Sequence, residues 1–390
     1  MLSEAKAVDP QQRLLLECGY SSLHALSHRR VDLDGEDLCI YVGIMNADFD
    51  IITSTPAGRK SVYAATGTQV SVASGRLAYA LGTQGPCVTV DTACSSALVA
   101  LDGAMLSLCA ASSNAALFAA VNLVLLPRVS LLFKRASMLS TDGRCKTFDA
   151  RANGYVRGEG VGAGGLVLAG GSDLSVVVSS CAVRADGKSA SLTAPNGMAQ
   201  ARLVGAALAV TSDAKPRLIE AHGTGTPLGD PTEASALERG LGNAVLGNVA
   251  PFIGGIKASL GHTEPVAGLV GLLALSRSYA QGGSAGNAQV RTLNKLLAPP
   301  LRGMHACVPT QGSKLANDGC KGVSSFGYSG TIAHAVVSLN VGTLSAPEIS
   351  GRRGTRRKCV FHRRALMWTL PNGQAGAGAD GAREPYANAI

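Results

Sequence analysis

Short runs that are apolar throughout alternate along this chain with stretches whose apolar residues recur at helical spacing, and that alternation limits the fold more than any other feature. Leu38 to Ile44, Cys87 to Val90, Val161 to Leu168 and Ser175 to Cys181 read as strands buried on both faces, the habit of parallel sheets. Leu98, Leu101, Met105 and Leu108 share one helical face, and Ala199 to Val210 and Val266 to Leu275 repeat the spacing. An α/β architecture follows. At 390 residues the chain is long for one compact unit, so two fused core units or one large domain of two halves are expected. Ala182 to Asn196, polar and turn-rich, reads as the passage between them. The expected units are 1–181, 182–345 and a basic tail, 346–390, where Arg, Gly, Ala and Pro take over the composition.

Charge and cysteine usage bound what the chain can meet. The net charge of +9 is uneven: from Gly351 onward eight basic residues face two acidic ones, leaving the body near +3. That tail reads as solvated or as touching acidic partners, and with aromatics at only 4% no nucleic-acid partner is expected. The ten cysteines form no CxxC pair, and no His cluster has metal-ligand spacing, so no metal is expected and free thiols in a reducing, cytoplasmic compartment are. Met1 to Gln12 is charged and lacks the apolar core of a signal peptide. No apolar run reaches the roughly 18 residues of a membrane helix; Ala115 to Val129 is interrupted by Asn122 and Pro127.

Four turns could carry chemistry. In Val88 to Leu108 an apolar strand stops at Asp91, small residues follow, and a helix opens near Ser95, so Cys94 falls at a helix N-terminus where the dipole and free N–H groups favour thiolate and can hold an oxyanion. In Glu220 to Glu233 a strand over Arg217 to Ala221 delivers His222 onto a Gly/Thr/Pro loop, and Asp230 with Pro231 reads as N-cap and N1 of the next helix. In Gly254 to Leu275, Lys257 and His262 precede a helix that starts near Glu264 or Pro265; a lysine beside an imidazole adds positive potential where a negative oxygen develops. Val323 to Val337 is a Gly/Ser-rich turn running into an apolar strand. Singly, each has a duller reading: a structural cysteine, a surface histidine, a solvated lysine, an ordinary bend. Jointly, one Cys, two His and one Lys in separate glycine-rich turns make a nucleophile with an oxyanion-stabilising set.

The wording of these turns resembles a known family. DPQQRLLLE (Asp9 to Glu17), VDTACSSALVAL, DGRCKTFDARANGYVRGEG (Asp142 to Gly160), DGKSASLTAPNG (Asp186 to Gly197), HGTGTPLGDP, KASLGHTEPVAG and SSFGYSGTIAH are similar to the β-ketoacyl synthases of the thiolase-like superfamily, above all the ketosynthase domains of type I modular polyketide synthases. The resemblance spans roughly residues 9 to 339. It implies a five-layered α-β-α-β-α sandwich of two similar halves, usually a homodimer. It also implies decarboxylative Claisen condensation, with Cys94 as nucleophile and His222 and His262 stabilising the enolate. Lys257 would orient His262 and supply charge, the N–H groups of Cys94 and Tyr328 would form the oxyanion hole, and Thr224 and Thr226 would hold the pantetheine arm. No cofactor is implied; the substrates ride on an acyl carrier protein, loaded by an acyltransferase on another chain.

Three departures go with it. The family places an apolar strand and a glycine-rich stretch well before DPQQR, so the first strand of the N-terminal half is expected to be missing, by truncation or by loss. Ile332 stands where the family usually has Asn, which removes one polar contact near the oxyanion loop. Arg356 to Trp368 is similar to the linker that follows such domains in multidomain enzymes. Fatty-acid elongation, a catalytically silent scaffold or chain-length subunit, and thiolase-type transfer without decarboxylation stay open as alternatives.

Overall fold

A computed structural model describes residues 2–55, 61–110, 112–168, 176–211, 216–242, 250–316, 318–339 and, as backbone, 359–362. The N-terminal half runs α1 (Leu2–Ala7), α2 (Pro10–Ala25), α3 (Arg30–Leu33), β1 (Leu38–Ile44), α4 (Asp48–Thr53), α5 (Ala64–Thr68), α6 (Val72–Leu81), β2 (Cys87–Val90), α7 (Ser96–Cys109), β3 (Ala115–Asn122), α8 (Pro127–Arg135) and β4 (Gly160–Leu168). The C-terminal half runs β5 (Val176–Ala185), α9 (Gly197–Leu208), β6 (Pro216–Glu220), α10 (Gly229–Leu241), β7 (Phe252–Gly254), α11 (Lys257–Leu260), a 3-10 turn Glu264–Val266 and α12 (Ala267–Gln281). It closes with β8 (Gly283–Ser284), a 3-10 turn Lys295–Leu297, α13 (Ala298–Gly303), β9 (Ser313–Lys314), β10 (Cys320–Phe326) and β11 (Thr331–Leu339); β12 (Cys359–His362) comes last.

Local chemistry explains the main elements. Asp9 caps α2 by accepting the Gln11 amide at 2.7 Å, and Pro10 at N1 supplies a φ already suited to the helix. Asn196 does the same for α9, accepting from Met198 and Ala199. β3 is buried along its whole length, with small side chains that let helices approach both faces. Its Ala115, Leu117, Ala119 and Val121 pack outward with α2 and α6, while Ala116, Phe118 and Ala120 pack inward with α7 and α12. On the far side α10 and α13 cover β6 and β7, and α9 covers β5 and β11. The layers are therefore helix, sheet, paired central helices α7 and α12, sheet, helix: the five-layered sandwich.

The strand order is β2-β1-β3-β4-β12-β5-β11-β10-β6-β7. Read outward from the centre, both halves have the same order and sense: β1 pairs parallel with β2 and β3, β3 antiparallel with β4, and β6, β7, β10 and β11 repeat the scheme. β5, the first strand of the C-terminal half, lies antiparallel beside β11. The equivalent slot beside β4 is held by β12, from the far end of the chain, which also pairs with β5.

Two boundaries differ from the sequence reading. A division at 181/182 cuts β5, whose ladder with β11 runs on to Ala185, so the halves part before residue 176. Pairing with β11 overrides the polar look of the segment. Asp230 and Pro231 do not start α10, which begins at Gly229 with Leu228 as its cap; the Asp230 carboxylate instead turns inward and accepts from Phe148 and Gly225. Among the described residues no helix is long and apolar enough to cross a membrane. Of the expected tail, 346–390, only 359–362 lies within the described residues.

Candidate active site

Cys94 sits in the turn between β2 and α7, 7% exposed. Ala93, just before it, holds φ 53°, a left-handed conformation that costs a non-glycine residue of order 1–3 kcal/mol. The small residues around it make that turn possible. The Ala93 amide donates to Asp91 at 2.9 Å, the Thr92 amide to the Ser96 hydroxyl at 2.9 Å, and the Ser325 hydroxyl to the Cys94 carbonyl at 2.6 Å. A Cβ on Gly327 would stand 2.3 Å from the Thr92 carbonyl oxygen, so only glycine admits the strand that carries Ser325.

His262 reaches the same point from the other half. Its amide donates to the Val156 carbonyl and its carbonyl accepts from Gly158, both at 2.8 Å, which hangs the residue on the 156–158 segment. The ring is 1% exposed, with Nε2 3.1 Å from the Cys94 sulfur. On its other side Nδ1 accepts the Glu264 amide at 3.3 Å. A neutral imidazole with an accepting Nδ1 carries its proton on Nε2.

His222 follows β6 and is half-buried. Its amide and that of Gly223 donate to the two Glu233 oxygens at 2.7 and 2.8 Å, and its Nδ1 accepts the Phe326 amide at 3.3 Å. The same argument sets its proton on Nε2. The two imidazole rings stand 5.5 Å apart, nearly perpendicular. Burial lowers both well below the usual histidine range, and the nearby Lys257 adds to the effect, so both are neutral.

Lys257, 4% exposed, opens α11. Among the described residues no hydrogen bond joins it to His262; the link is through space. Burial lowers its affinity for a proton, while Glu220 and Glu233 hold the charge in place. Burial pushes these two carboxyls up to about 7, and Asp230 to about 6. The Thr224 and Thr226 hydroxyls lie 3.2 Å apart on the loop after His222. Tyr328 is 40% exposed and meets Phe133 edge-on at 5.6 Å. Its backbone N–H and that of Cys94 both favour the ionised form of the Cys94 sulfur.

The thiol itself departs from expectation. The helix N-terminus does not make it a thiolate: burial first, and then Glu264, push it up to about 12, against the pull of Lys257 and the two amides. A dipole acts over one turn, whereas desolvation acts on the whole buried charge. Ile332 is fully buried and packs with Leu203 and Phe326, so an apolar cluster occupies the position where a polar contact was expected to be lost. Of the residues the sequence singles out, Cys94 and His262 meet directly, His222 stands beside His262, Lys257 and Tyr328 act on the thiol, and Thr224 and Thr226 lie on the loop after His222. Sequence reasoning misses Glu264, whose amide meets the His262 ring, Arg157, which pairs with Glu264, and Glu233 and Ser325, which bond the backbone of His222 and Cys94. Glu264 was the one within reach, two residues after His262 in GHTEP.

Comparison with known proteins agrees with this geometry. Residues 1–173 match the family described as "Beta-ketoacyl synthase, N-terminal domain" and residues 175–288 its "C-terminal domain". The chain is 37% identical, over 90% of its length, to a polyketide synthase-nonribosomal peptide synthetase of Aspergillus clavatus. It is 39% identical, again over 90%, to a phenolphthiocerol/phthiocerol polyketide synthase of Mycobacterium tuberculosis. It spans only 9% and 16% of those proteins. Among solved structures it is similar to an oxazolomycin ketosynthase domain of Streptomyces albus (TM-score 0.82, 30% identity, covering 88% of this chain and 62% of that one). The ketosynthase of module 6 of the Bacillus subtilis bacillaene synthase is a second match (TM-score 0.74, 28% identity, 86% and 60%). With both family halves matched in order and a thiol set against two neutral imidazoles, the chain belongs to the β-ketoacyl synthase family.

Proposed function

We propose that this protein elongates acyl chains in polyketide biosynthesis by decarboxylative Claisen condensation, with Cys94 carrying the growing chain. The observation that carries the reading is the approach of His262 Nε2 to the Cys94 sulfur at 3.1 Å across 168 residues of sequence, with the His222 ring beside it. In the first step the Cys94 sulfur attacks an acyl thioester on a carrier protein, and the carrier thiol leaves with the proton. A thiol that ionises this reluctantly gives up its proton as attack proceeds, when charge moves to the carbonyl oxygen and the amides of Cys94 and Tyr328 receive it.

A malonyl-type thioester then enters, its pantetheine arm held by Thr224 and Thr226. The bond to its carboxylate breaks, carbon dioxide leaves, and the electron pair becomes an enolate. Two imidazoles that each offer Nε2–H suit that oxygen, and Lys257 adds positive potential. The carbanion attacks the Cys94 thioester, the carbon–sulfur bond breaks, a β-ketoacyl carrier thioester departs, and the freed sulfur takes up a proton from solvent to restore the thiol. A carrier protein and an acyltransferase are the partners this chemistry requires, and scattered cysteines with no CxxC pair suit the cytoplasm. A homodimer is supported by β2, an end strand with exposed Cys87 and Val88, flanked by Tyr79, 90% exposed, and the exposed Leu106.

The test is incubation with acyl- and malonyl-loaded carrier proteins, following the Cys94 adduct by mass spectrometry and carbon dioxide release. An adduct on Cys94 with release of carbon dioxide and an elongated product is expected, and Cys94→Ala should abolish elongation. A wild-type protein that forms no adduct would instead be a silent scaffold.

A further inference from the structure

Behind His262 lies a pair of opposite charges that the steps above do not use. Arg157 and Glu264 meet side by side, Nε to Oε1 at 2.5 Å and Nη2 to Oε2 at 2.9 Å, with side chains 5% and 1% exposed. They come from different halves. Arg157 belongs to the segment whose neighbours Val156 and Gly158 hold the His262 backbone, and its Nη1 donates to Ser130 at 2.8 Å. Asn46 donates to Glu264 at 3.2 Å and to Asn122 at 2.5 Å, and Asn122 donates to the Gly158 carbonyl at 2.7 Å. Gln11 of the DPQQR motif donates to the Asn46 carbonyl at 2.8 Å.

Glu264 holds φ 52°, left-handed for a residue that has a Cβ. That conformation is what aims its amide at His262 Nδ1. Nothing in a Glu side chain favours it, so the surroundings must hold it, and the strongest hold present is the two-pronged guanidinium.

We propose that Arg157 is a positioning residue for condensation: through Glu264 it fixes the left-handed turn whose amide keeps His262 in the Nε2–H form facing the sulfur. The inference rests on the condensation reading for its kinetic consequence but not for its tautomer consequence. Arg157→Met removes the fork while keeping an unbranched apolar stem. The malonyl decarboxylation kcat should fall on the order of 10- to 100-fold with KM little changed, as expected for a misoriented group rather than a lost binding contact. Acylation of Cys94 should persist. Arg157→Lys, with one prong, should recover part of the rate.

Because a single variant leaves Glu264 buried without its partner, the double variant Arg157→Met/Glu264→Gln serves as the folding control. It should melt near the wild type and stay slow. The deciding readout is nitrogen-15 NMR of histidine-labelled protein: one Nε2–H signal set for His262 in the wild type, and a mixture of tautomers in both variants. An unchanged tautomer in Arg157→Met, or wild-type decarboxylation by the folded double variant, overturns the proposal. A wild type that shows the Nε2–H tautomer but never decarboxylates malonyl thioesters would sink the condensation reading alone.

Discussion

The turn from β2 into α7 and the turn from β7 into α12 hold the same place in two halves whose strands pair in the same order and sense. One is five residues long, 91–95; the other is twelve, 255–266. Each has a non-glycine residue at positive φ beside its reactive side chain, Ala93 before Cys94 and Glu264 after His262. The short turn is locked by serine and threonine hydroxyls and by contact with Gly327, and it buries a neutral thiol. The long turn adds α11 and a 3-10 turn, which brings in Lys257 and Glu264 and demands carboxylates and a guanidinium to balance them. A duplicated scaffold has thus been divided by electrostatics. A sulfur needs tight backbone and donors, while imidazoles that must stay neutral need charges arranged around them.

The sharpest break in that comparison comes from removing one reactive group from each turn. His262→Ala should lower malonyl decarboxylation by ~10²-fold or more, while Cys94→Ala abolishes elongation but leaves decarboxylation measurable; equal loss of both activities in both variants would erase the division of labour. Next, Gly327→Ala should cripple acylation of Cys94, because its Cβ must displace the Thr92 carbonyl from 2.3 Å. Measured acylation at the wild-type rate would show that the short turn is not held from β10.

Lys321, fully buried on β10 with its ammonium bonded to Ser278 at 2.7 Å and set over the Tyr279 ring, extends the comparison beyond the site. Burial lowers it to about 7. An unfolded lysine titrates near ~10.4, so below about pH 7 the folded state bears the full cost of the buried charge. Between those values only the unfolded chain holds the proton, and stability rises with pH. Lys321→Met should therefore melt several degrees higher than the wild type near pH 7, with the gap closing toward pH 10. A constant gap would contradict the burial argument.

Legibility followed locality. β1 and β2 were read to the residue from their apolar runs, and Cys94, His222 and His262 from glycine-rich turns, because periodicity and turn chemistry are written in neighbouring residues. β5 reads as too short from sequence because its last four residues, Ala182 to Ala185, open a stretch that is polar and turn-rich as a whole, and they are strand only through β11. Asp230 before Pro231 reads as a cap, but the amide of Phe148 from the other half and that of Gly225 on its own loop claim its carboxylate.

What the amino acids determine alone, then, is the α/β alternation, the family and the chemical cast: one thiol, two imidazoles, one ammonium. The tertiary structure decides how those groups behave. It makes the thiol hard to ionise, keeps both imidazoles neutral with Nε2 protonated, and joins Arg157 to Glu264 over 107 residues. Proton affinity depends on water excluded and charges gathered from every side, and those neighbours are set by packing rather than by position along the chain.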